Sequence, residues 1–513
     1  MTFRLLLLAL AALSIGAPGG WAASGEPPTV RVAQGEARGV AEDGVAVFKG
    51  LPYAAPPVGP LRWRPPQAPR KWTGLRDAAA FGPDCVQKRG GWDPTQSKLP
   101  VSEDCLTLNV WAPAAKGPAR PVMVWIHGGG FTMGSGSQPL FDGAKLARRG
   151  IVVVTLNYRL GRFGFFAHPA LAAENPGAAT GNYGLMDQVA ALQWVRRNIA
   201  AFGGDPAKVT IFGESAGGGS VIQLMLMAPA RGLFRAAAAE SGGGRDDWPT
   251  LAGAERAGVA FAAKSGVVGS DAGAAERLRG LPPATLLGGL DLLSPEPDTY
   301  SGPMIDGRLV TTRASAGFAA DRQARVPFLV GANSNELGMI PAPFLAPMTA
   351  ALAKQLGADR DAVVRAYGSR EAYDAHLTSD MTFVEPARFL AGQTAGRGQL
   401  TWLYSFGYVP TALRPGQTGA GHASELAFVF GNLDVLIKPA TAEDEAAAVL
   451  VGDYWTAFAK TGDPNGPGRP AWPRYDAAHD QRLEITTTGR AAQGSAGGAP
   501  LDALRAHFAA ANR

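Results

Sequence analysis

Cysteine is scarce, with two residues, Cys85 and Cys105, in a chain of 513. That excludes a scaffold held together by many disulfides, and no cysteine or histidine cluster suggests a metal centre. Charge is thin as well, at 18% of residues. The 48 Lys and Arg exceed the 43 Asp and Glu by only five, and no basic block or aromatic-interleaved basic stripe gathers the surplus. Nucleic-acid recognition needs such clustering, so no nucleic-acid partner is expected, and the excess reads as solubility and weak attraction to anionic surfaces. No repeat of fixed period is present. With 46% hydrophobic residues the chain lies far from disordered composition and is long enough to bury a large core.

Apolar runs of membrane-spanning length are also missing. The nearest approach, residues 5–15, follows the single cation Arg4 and precedes small residues ending in Trp21-Ala22-Ala23. Spanning takes about 20 apolar residues, so residues 1–23 read as a signal peptide removed after Ala22 or Ala23, and the mature chain is expected to be exported, periplasmic or secreted, without a membrane span. In an oxidising compartment Cys85 and Cys105 would pair, closing a loop that contains Gly90, Gly91 and Pro94, a closure worth about 3 kcal/mol in the chain-entropy model. Two buried free thiols stay open as the alternative, because sequence does not show that the Cα atoms approach.

What is abundant is punctuation and short β-branched runs. Residues 30–32 and 45–48 alternate around Gly-containing turns and predict a small antiparallel meander, followed by Pro56, Pro57, Pro60, Pro65, Pro66 and Pro69, which confine that stretch to extended surface chain. Residues 122–126, 151–156 and 209–212 are continuous apolar runs, the pattern of strands buried on both faces. Val189, Leu192, Val195, Ile199 and Phe202 recur at spacings of three and four before Gly203-Gly204, an amphipathic helix with its stop. Further strands are expected at 326–331, 400–406 and 482–486, and helices at 221–227 and 445–460. Strands alternating with helices predict an α/β protein with a mostly parallel central sheet covered on both faces. Residues 24–490 read as one catalytic domain with helical insertions at about 246–325 and 339–398, and 491–513 as a flexible Gly-rich stretch and a short C-terminal helix.

Gly213-Glu214-Ser215-Ala216-Gly217 matches Gly-x-Ser-x-Gly between a β-branched strand and a breaker-free helix. A serine on such a tight strand-to-helix turn has a strained backbone, and side chains two positions away would collide with neighbouring elements. Its hydroxyl needs a base, and the base needs an orienting acid. The order serine, acid, histidine leaves His376, His422, His479 and His507, of which His422 follows a loop after a predicted strand. Glu336, just past the strand ending near Val330, is favoured as the acid over Asp306 and Glu425, because catalytic groups of open α/β sheets collect at the strands' carboxyl ends. Periodicity does not settle that choice. His127-Gly128-Gly129-Gly130-Phe131 follows another strand, and the N–H groups of Gly129, Gly130 and Ala216 are candidate donors to an oxyanion. A phosphate-cradling loop is the rival reading, but no Lys-Ser/Thr follows.

These residues, with Phe48-Lys49-Gly50-Leu51-Pro52-Tyr53-Ala54, Glu103-Asp104-Cys105-Leu106, Asn157-Tyr158-Arg159-Leu160-Gly161 and Gly421-His422 ahead of Glu425-Leu426, resemble the type-B carboxylesterases of the α/β-hydrolase fold. The resemblance runs from about Thr29 to Tyr475. It implies a serine ester hydrolase working through an acyl-enzyme, with Ser215 as nucleophile, His422 as base, Glu336 as acid, Gly129, Gly130 and Ala216 as oxyanion donors, and a Cys85–Cys105 disulfide. It implies no cofactor and a small-molecule ester substrate, small to medium and largely apolar or aromatic. The choline-binding tryptophan of some members has no clear counterpart, although Trp92 lies in the corresponding loop. Phe131, Met133 and Met304 are candidates for an apolar acyl pocket or ordinary core, and Glu214 either tunes the site or is simply buried. An amide, carbamate or bulky polyester bond, and a non-catalytic binding module on the same fold, are the competing functions; the intact serine, acid and histidine argue against the latter. Oligomeric state and natural substrate are not written in the sequence.

Overall fold

The computed structural model describes residues 26–89, 93–115, 117–290, 301–338, 340 and 342–511, with backbone only at 342–344 and 511. The expected signal peptide and Trp92 lie outside these residues.

Among the described residues an 11-stranded sheet organises the molecule. Its strands are β1 (Val40–Glu42), β2 (Val45–Pro52), β3 (Thr107–Pro113), β4 (Arg120–Ile126), β5 (Val152–Leu156), β6 (Gly204–Glu214), β7 (Ala236–Glu240), β8 (Phe328–Asn333), β9 (Thr401–Phe406), β10 (Gln481–Ile485) and β11 (Ala491–Ser495). The spatial order is β11-β10-β9-β8-β7-β6-β4-β5-β3-β2-β1. From β5 through β10 neighbours run parallel, and antiparallel pairs close both ends. This is the α/β-hydrolase arrangement.

Alternation along β4 shows how the sheet is buried. Val122, Val124 and Ile126 join the core formed with α1 (Tyr183–Asn198), α2 (Ala216–Leu226) and α3 (Glu385–Ala395), through side chains such as Leu192, Val195, Ile222 and Leu390. Met123 and Trp125 face the other way, into a core with Tyr454, Trp455 and Phe458 of α4 (Ala442–Thr461). Each fully buried large side chain contributes about 1.5–3 kcal/mol, so two such faces hold the sheet without any cofactor-like filler. α4 begins at a capping box in which Thr441 and Asp444 exchange hydrogen bonds, and it ends at Gly462 in the left-handed conformation.

Two expectations are corrected. The N-terminal meander is divided: Thr29–Val32 pairs with Gly35–Arg38, and the latter with Leu75–Asp77, in a separate small sheet, whereas the strand at 45–48 is longer and lies inside the main sheet as β2. The Gly-rich stretch after residue 490 is ordered in its first part as edge strand β11, pairing antiparallel with β10; an edge strand facing solvent needs no large apolar side chains. The terminal helix, Ala499–Ala511, docks Leu501 and Leu504 into a satellite core with Tyr373 and Leu377. The insertions are helical, with Leu251–Lys264, Ala272–Arg279 and Ala314–Ala319 before β8, and Ala342–Gln355, Arg360–Ala366, Arg370–Ser379 and α3 after it. Cys85 and Cys105 form a disulfide, and no helix among the described residues is long and apolar enough to cross a membrane.

Register places the site. Ile126 pairs with Gly213, Glu214 with Glu240, Glu240 with Gly331, and Asn333 with Phe406, so the carboxyl ends of β4, β6, β7, β8 and β9 form one edge.

Candidate active site

Ser215 stands between β6 and α2 at φ +56°, ψ −124°, a conformation that non-glycine residues rarely adopt and that costs about 1–3 kcal/mol. The neighbours leave no alternative path. A Cβ on Gly217 would lie 2.0 Å from the carbonyl oxygen of Ile126, and one on Gly213 would lie 2.6 Å from the same oxygen. The Ser215 N–H donates to the Glu240 carbonyl at 2.9 Å, and the Ser215 carbonyl accepts from Gly219 N–H at 2.8 Å, opening α2.

The glycine loop after β4 presses against this turn. A Cβ on Gly128 would sit 3.1 Å from Ser215 Cβ. Gly129 and Gly130 have φ of +100° and +59°, and among the described hydrogen bonds none uses either N–H; that of Ala216, the first residue of α2, has no intrahelical partner by geometry. His127 anchors the loop. Its Nδ1 is 2.9 Å from the Gly128 carbonyl, its ring stacks on Tyr158 at 4.4 Å, and the Tyr158 hydroxyl donates to the His127 carbonyl at 2.9 Å. Burial lowers its pKa to about 4, so this histidine stays neutral and serves as a brace.

Across the edge, His422 Nδ1 lies 2.6 Å from Glu336 Oε2, and the His422 N–H donates to the Glu336 carbonyl at 2.7 Å. The other oxygen, Oε1, accepts from the Asn333 N–H at 2.7 Å and the Ser241 hydroxyl at 2.6 Å. Asp306 is used elsewhere, accepting from the backbone N–H groups of Arg308 and Leu309, both at 2.7 Å. Glu425 is buried behind the acid and accepts from Asn333 Nδ2. His479 pairs with Asp476, His507 pairs with Asp359, and His376 lies on Arg370–Ser379.

The far nitrogen of His422, Nε2, is 3.1 Å from Glu214 Oε1, on the residue preceding the serine, and Phe383 lies against the ring at 4.7 Å. No hydrogen bond at Ser215 Oγ occurs among the described residues. Three carboxylates, Glu214, Glu336 and Glu425, act on the imidazole, and a fourth, Glu240, acts on Glu214; all four are buried. Burial pulls the His422 pKa down, but Glu214, Glu336 and Glu425 together outweigh it and raise it to about 10. Burial raises Glu214, an effect His422 opposes; it raises Glu240, which accepts from Trp455 Nε1 at 2.8 Å, to about 8; and with the neighbouring carboxylates it raises Glu425. When Glu214 takes up a proton, the largest upward pull on His422 disappears.

The pocket candidates separate. Phe131 is half-buried beside the first turn of α2 and meets Phe165 and Trp248 edge-on at 5.3 and 6.1 Å. Met133 is buried beneath the loop, its carbonyl oxygen 2.3 Å from where a Gly129 Cβ would be. Met304 is not brought to this edge; it packs with Ala167 and Ala254 and exchanges backbone hydrogen bonds with the Asn182 side chain. Ser241, Asn333, Glu240, Trp248 and Phe383 were not singled out from sequence. Only Asn333 carried a usable signal, since it lies just past the strand expected at 326–331; Ser241 follows a strand that the sequence did not disclose, and its φ of +47° has no sequence signature.

Comparison with known proteins gives the family. The model of the carboxylesterase family matches residues 26–362 and 365–499. The chain is 37% identical over 484 residues to a fumonisin B1 esterase of Sphingopyxis macrogoltabida, covering 90% of this chain and 87% of that one. It is 39% identical over 467 residues to a para-nitrobenzyl esterase of Bacillus subtilis, covering 88% and 92%. Among solved structures, a Geobacillus stearothermophilus carboxylesterase superposes with a TM-score of 0.81 at 35% identity, covering 94% of this chain and 99% of that one. The chain therefore belongs to the carboxylesterase family and is a carboxylic ester hydrolase of the α/β-hydrolase fold.

Proposed function

We propose that Ser215 is the nucleophile, His422 its base and Glu336 the acid that orients the imidazole. The observation that carries this reading is the Glu336–His422 pair at 2.6 Å with its free nitrogen turned toward the residue adjoining a strained serine. His422 takes the proton of Ser215 as its oxygen attacks the ester carbonyl. The N–H groups of Gly129, Gly130 and Ala216 then stabilise the oxyanion, the alcohol leaves with the proton, and water releases the acid by the same steps. Glu336 fixes the tautomer and offsets the imidazolium charge, while Glu214 tunes the base. The serine–imidazole hydrogen bond closes in the substrate complex, where catalytic contacts commonly tighten.

The substrates are small to medium esters with apolar or aromatic groups. Support comes from Phe131, Trp248 and Phe383 around the edge, and from a relative named for a para-nitrobenzyl ester. Residues 24–490 act as one catalytic unit, and residues 1–23 direct export, a reading to which the Cys85–Cys105 disulfide lends support. The test is Ser215→Ala. It should abolish the burst of para-nitrophenolate from para-nitrophenyl acetate while leaving the unfolding transition in place; a retained burst moves the nucleophile elsewhere.

A further inference from the structure

At the opposite edge of the sheet lies a cleft of about 520 Å³, the size of a small-molecule site. It is lined by Leu226, Arg231, Thr311, Thr312, Asp321, Arg322, Gln323 and Arg325. Arg231 precedes β7, residues 321–325 precede β8, and Leu226 ends α2, the helix that begins next to Ser215. Eleven helical residues, roughly 16 Å of rise, therefore separate the two ends.

The lining is cationic and incompletely satisfied. Three guanidinium groups face one carboxylate. Asp321 is paired with Arg325, and Arg231 donates to the backbone carbonyl of Arg322. The exposed Arg322 guanidinium makes no ion pair or hydrogen bond among the described residues. Gln323 supplies an independent signal. It is only 2% exposed, and its Nε2 donates to Asp321 Oδ1 at 3.1 Å and Gln399 Oε1 at 3.2 Å, which fixes the orientation of the amide. Its Oε1 is buried without a donor. An unsatisfied buried acceptor is costly, so a site that leaves one beside the free guanidinium of Arg322 is chemically asymmetric: it offers charge-assisted donors for an anion and an acceptor for an O–H. Thr311 and Thr312 add hydroxyls that serve either role.

We propose that this cleft is a second ligand site, separate from the catalytic edge, for a small organic oxyanion that also carries a hydroxyl, such as a hydroxycarboxylate or a phosphate monoester. Arg322 and Arg231 hold the anion, and Gln323 Oε1 accepts from the hydroxyl. Isothermal titration of the purified enzyme with L-malate, succinate and glycerol 1-phosphate, at constant ionic strength set with sodium chloride, tests it. One saturable site is expected for malate, for glycerol phosphate or for both, and which of them binds identifies the anionic group. Succinate, which lacks the hydroxyl, should bind at least tenfold more weakly than malate if malate binds. Arg322→Ala should weaken binding at least tenfold while leaving para-nitrophenyl acetate turnover intact, and Gln323→Met should erase the preference for malate over succinate. Should Gln323→Met fail to fold, the comparison of malate with succinate on the unaltered enzyme tests the acceptor. No saturable heat with malate or glycerol phosphate, or binding unchanged in Arg322→Ala, overturns the site; equal binding of malate and succinate overturns the role of Gln323.

Discussion

Glu214 is the residue whose removal has the largest calculable effect on the proposed base. Its Oε1 lies 3.1 Å from His422 Nε2, with the carboxylate buried and the imidazole a quarter exposed. At that separation a unit charge pair is worth about 1.3 kcal/mol at the permittivity of water and about 5 kcal/mol at an effective permittivity of 20. Since about 1.4 kcal/mol is one pKa unit, Glu214→Gln should lower the His422 pKa by roughly one to four units. The sign follows from the chemistry: only neutral imidazole accepts the serine proton, so activity rises with pH through the His422 titration, and a lowered pKa moves that rise to lower pH. The assay is kcat/KM for para-nitrophenyl acetate between pH 5 and 10, wild type against Glu214→Gln, with active sites counted by burst titration. An acid limb that stays put, or moves upward, refutes the claim that the Glu214 carboxylate acts on the base. Glutamine keeps the shape and a hydrogen-bonding oxygen, so an unchanged profile could not be blamed on a cavity.

Three further outcomes follow from the same geometry. Gly129→Ala places a methyl group 2.3 Å from the Met133 carbonyl oxygen at φ +100°, so the oxyanion loop must shift; turnover should fall by about 10²- to 10³-fold, checked as kcat with the melting temperature measured alongside. Glu240 is neutral in the folded state up to about pH 8 but ionises near its ordinary value when unfolded, so the folded form holds the extra proton; its contribution to stability is fully present below about pH 4.5 and is lost as pH rises toward 8, at about 1.4 kcal/mol per pH unit. Urea unfolding of Glu240→Gln should show a correspondingly flatter dependence on pH between 5 and 8, and an unaltered slope would contradict it. Cys85→Ser together with Cys105→Ser should destabilise the fold by about 2–5 kcal/mol in urea without changing the acid limb of the rate profile.

The sheet was readable wherever its strands are β-branched and buried on both faces, as in β4, β5 and β6. β7 was not. Its Ala236-Ala237-Ala238-Ala239 run has the local preference of a helix, yet it is a central strand paired in parallel with β6 and β8, and α2 rides directly on its end, where a Cβ on Gly218 would lie 2.6 Å from the Glu240 carbonyl. Tertiary packing overrides propensity at that position. β11 escaped notice for the opposite reason, since an exposed edge strand such as Ala491–Ser495 needs no apolar alternation. The strained turn at Ser215 was legible because such a turn demands glycines at fixed offsets, and those survive as letters. Periodicity did not separate the proposed acid from its alternatives, because the hydrogen bonds that converge on Glu336 arise in the fold: two are long-range, from Ser241 and with His422, and one is local, from the Asn333 N–H.

That convergence also explains why so many carboxylates crowd a single base. A buried imidazolium formed during attack needs nearby negative charge, and Glu336 with Glu214 provides it at 2.6 and 3.1 Å. Unchecked, the same charge would hold His422 protonated and unable to act. The neighbouring acids ionise late: burial raises the pKa of Glu240 to about 8 and holds that of Glu425 well above the usual carboxylate range. A neutral Glu240 adds polarity without another full charge, and burial raises the Glu214 pKa to about 7, so the largest upward pull on His422 weakens only as pH falls through that value. The proposed role of His422 therefore sets the charge that stabilises an imidazolium against the need for a neutral imidazole at the start. Replacing Glu425 by Leu should disturb this balance in a definite direction, freeing Asn333 Nδ2, loosening the acid loop and lowering kcat with little change in KM, whereas Glu425→Gln, which retains the acceptor, should restore most of the rate.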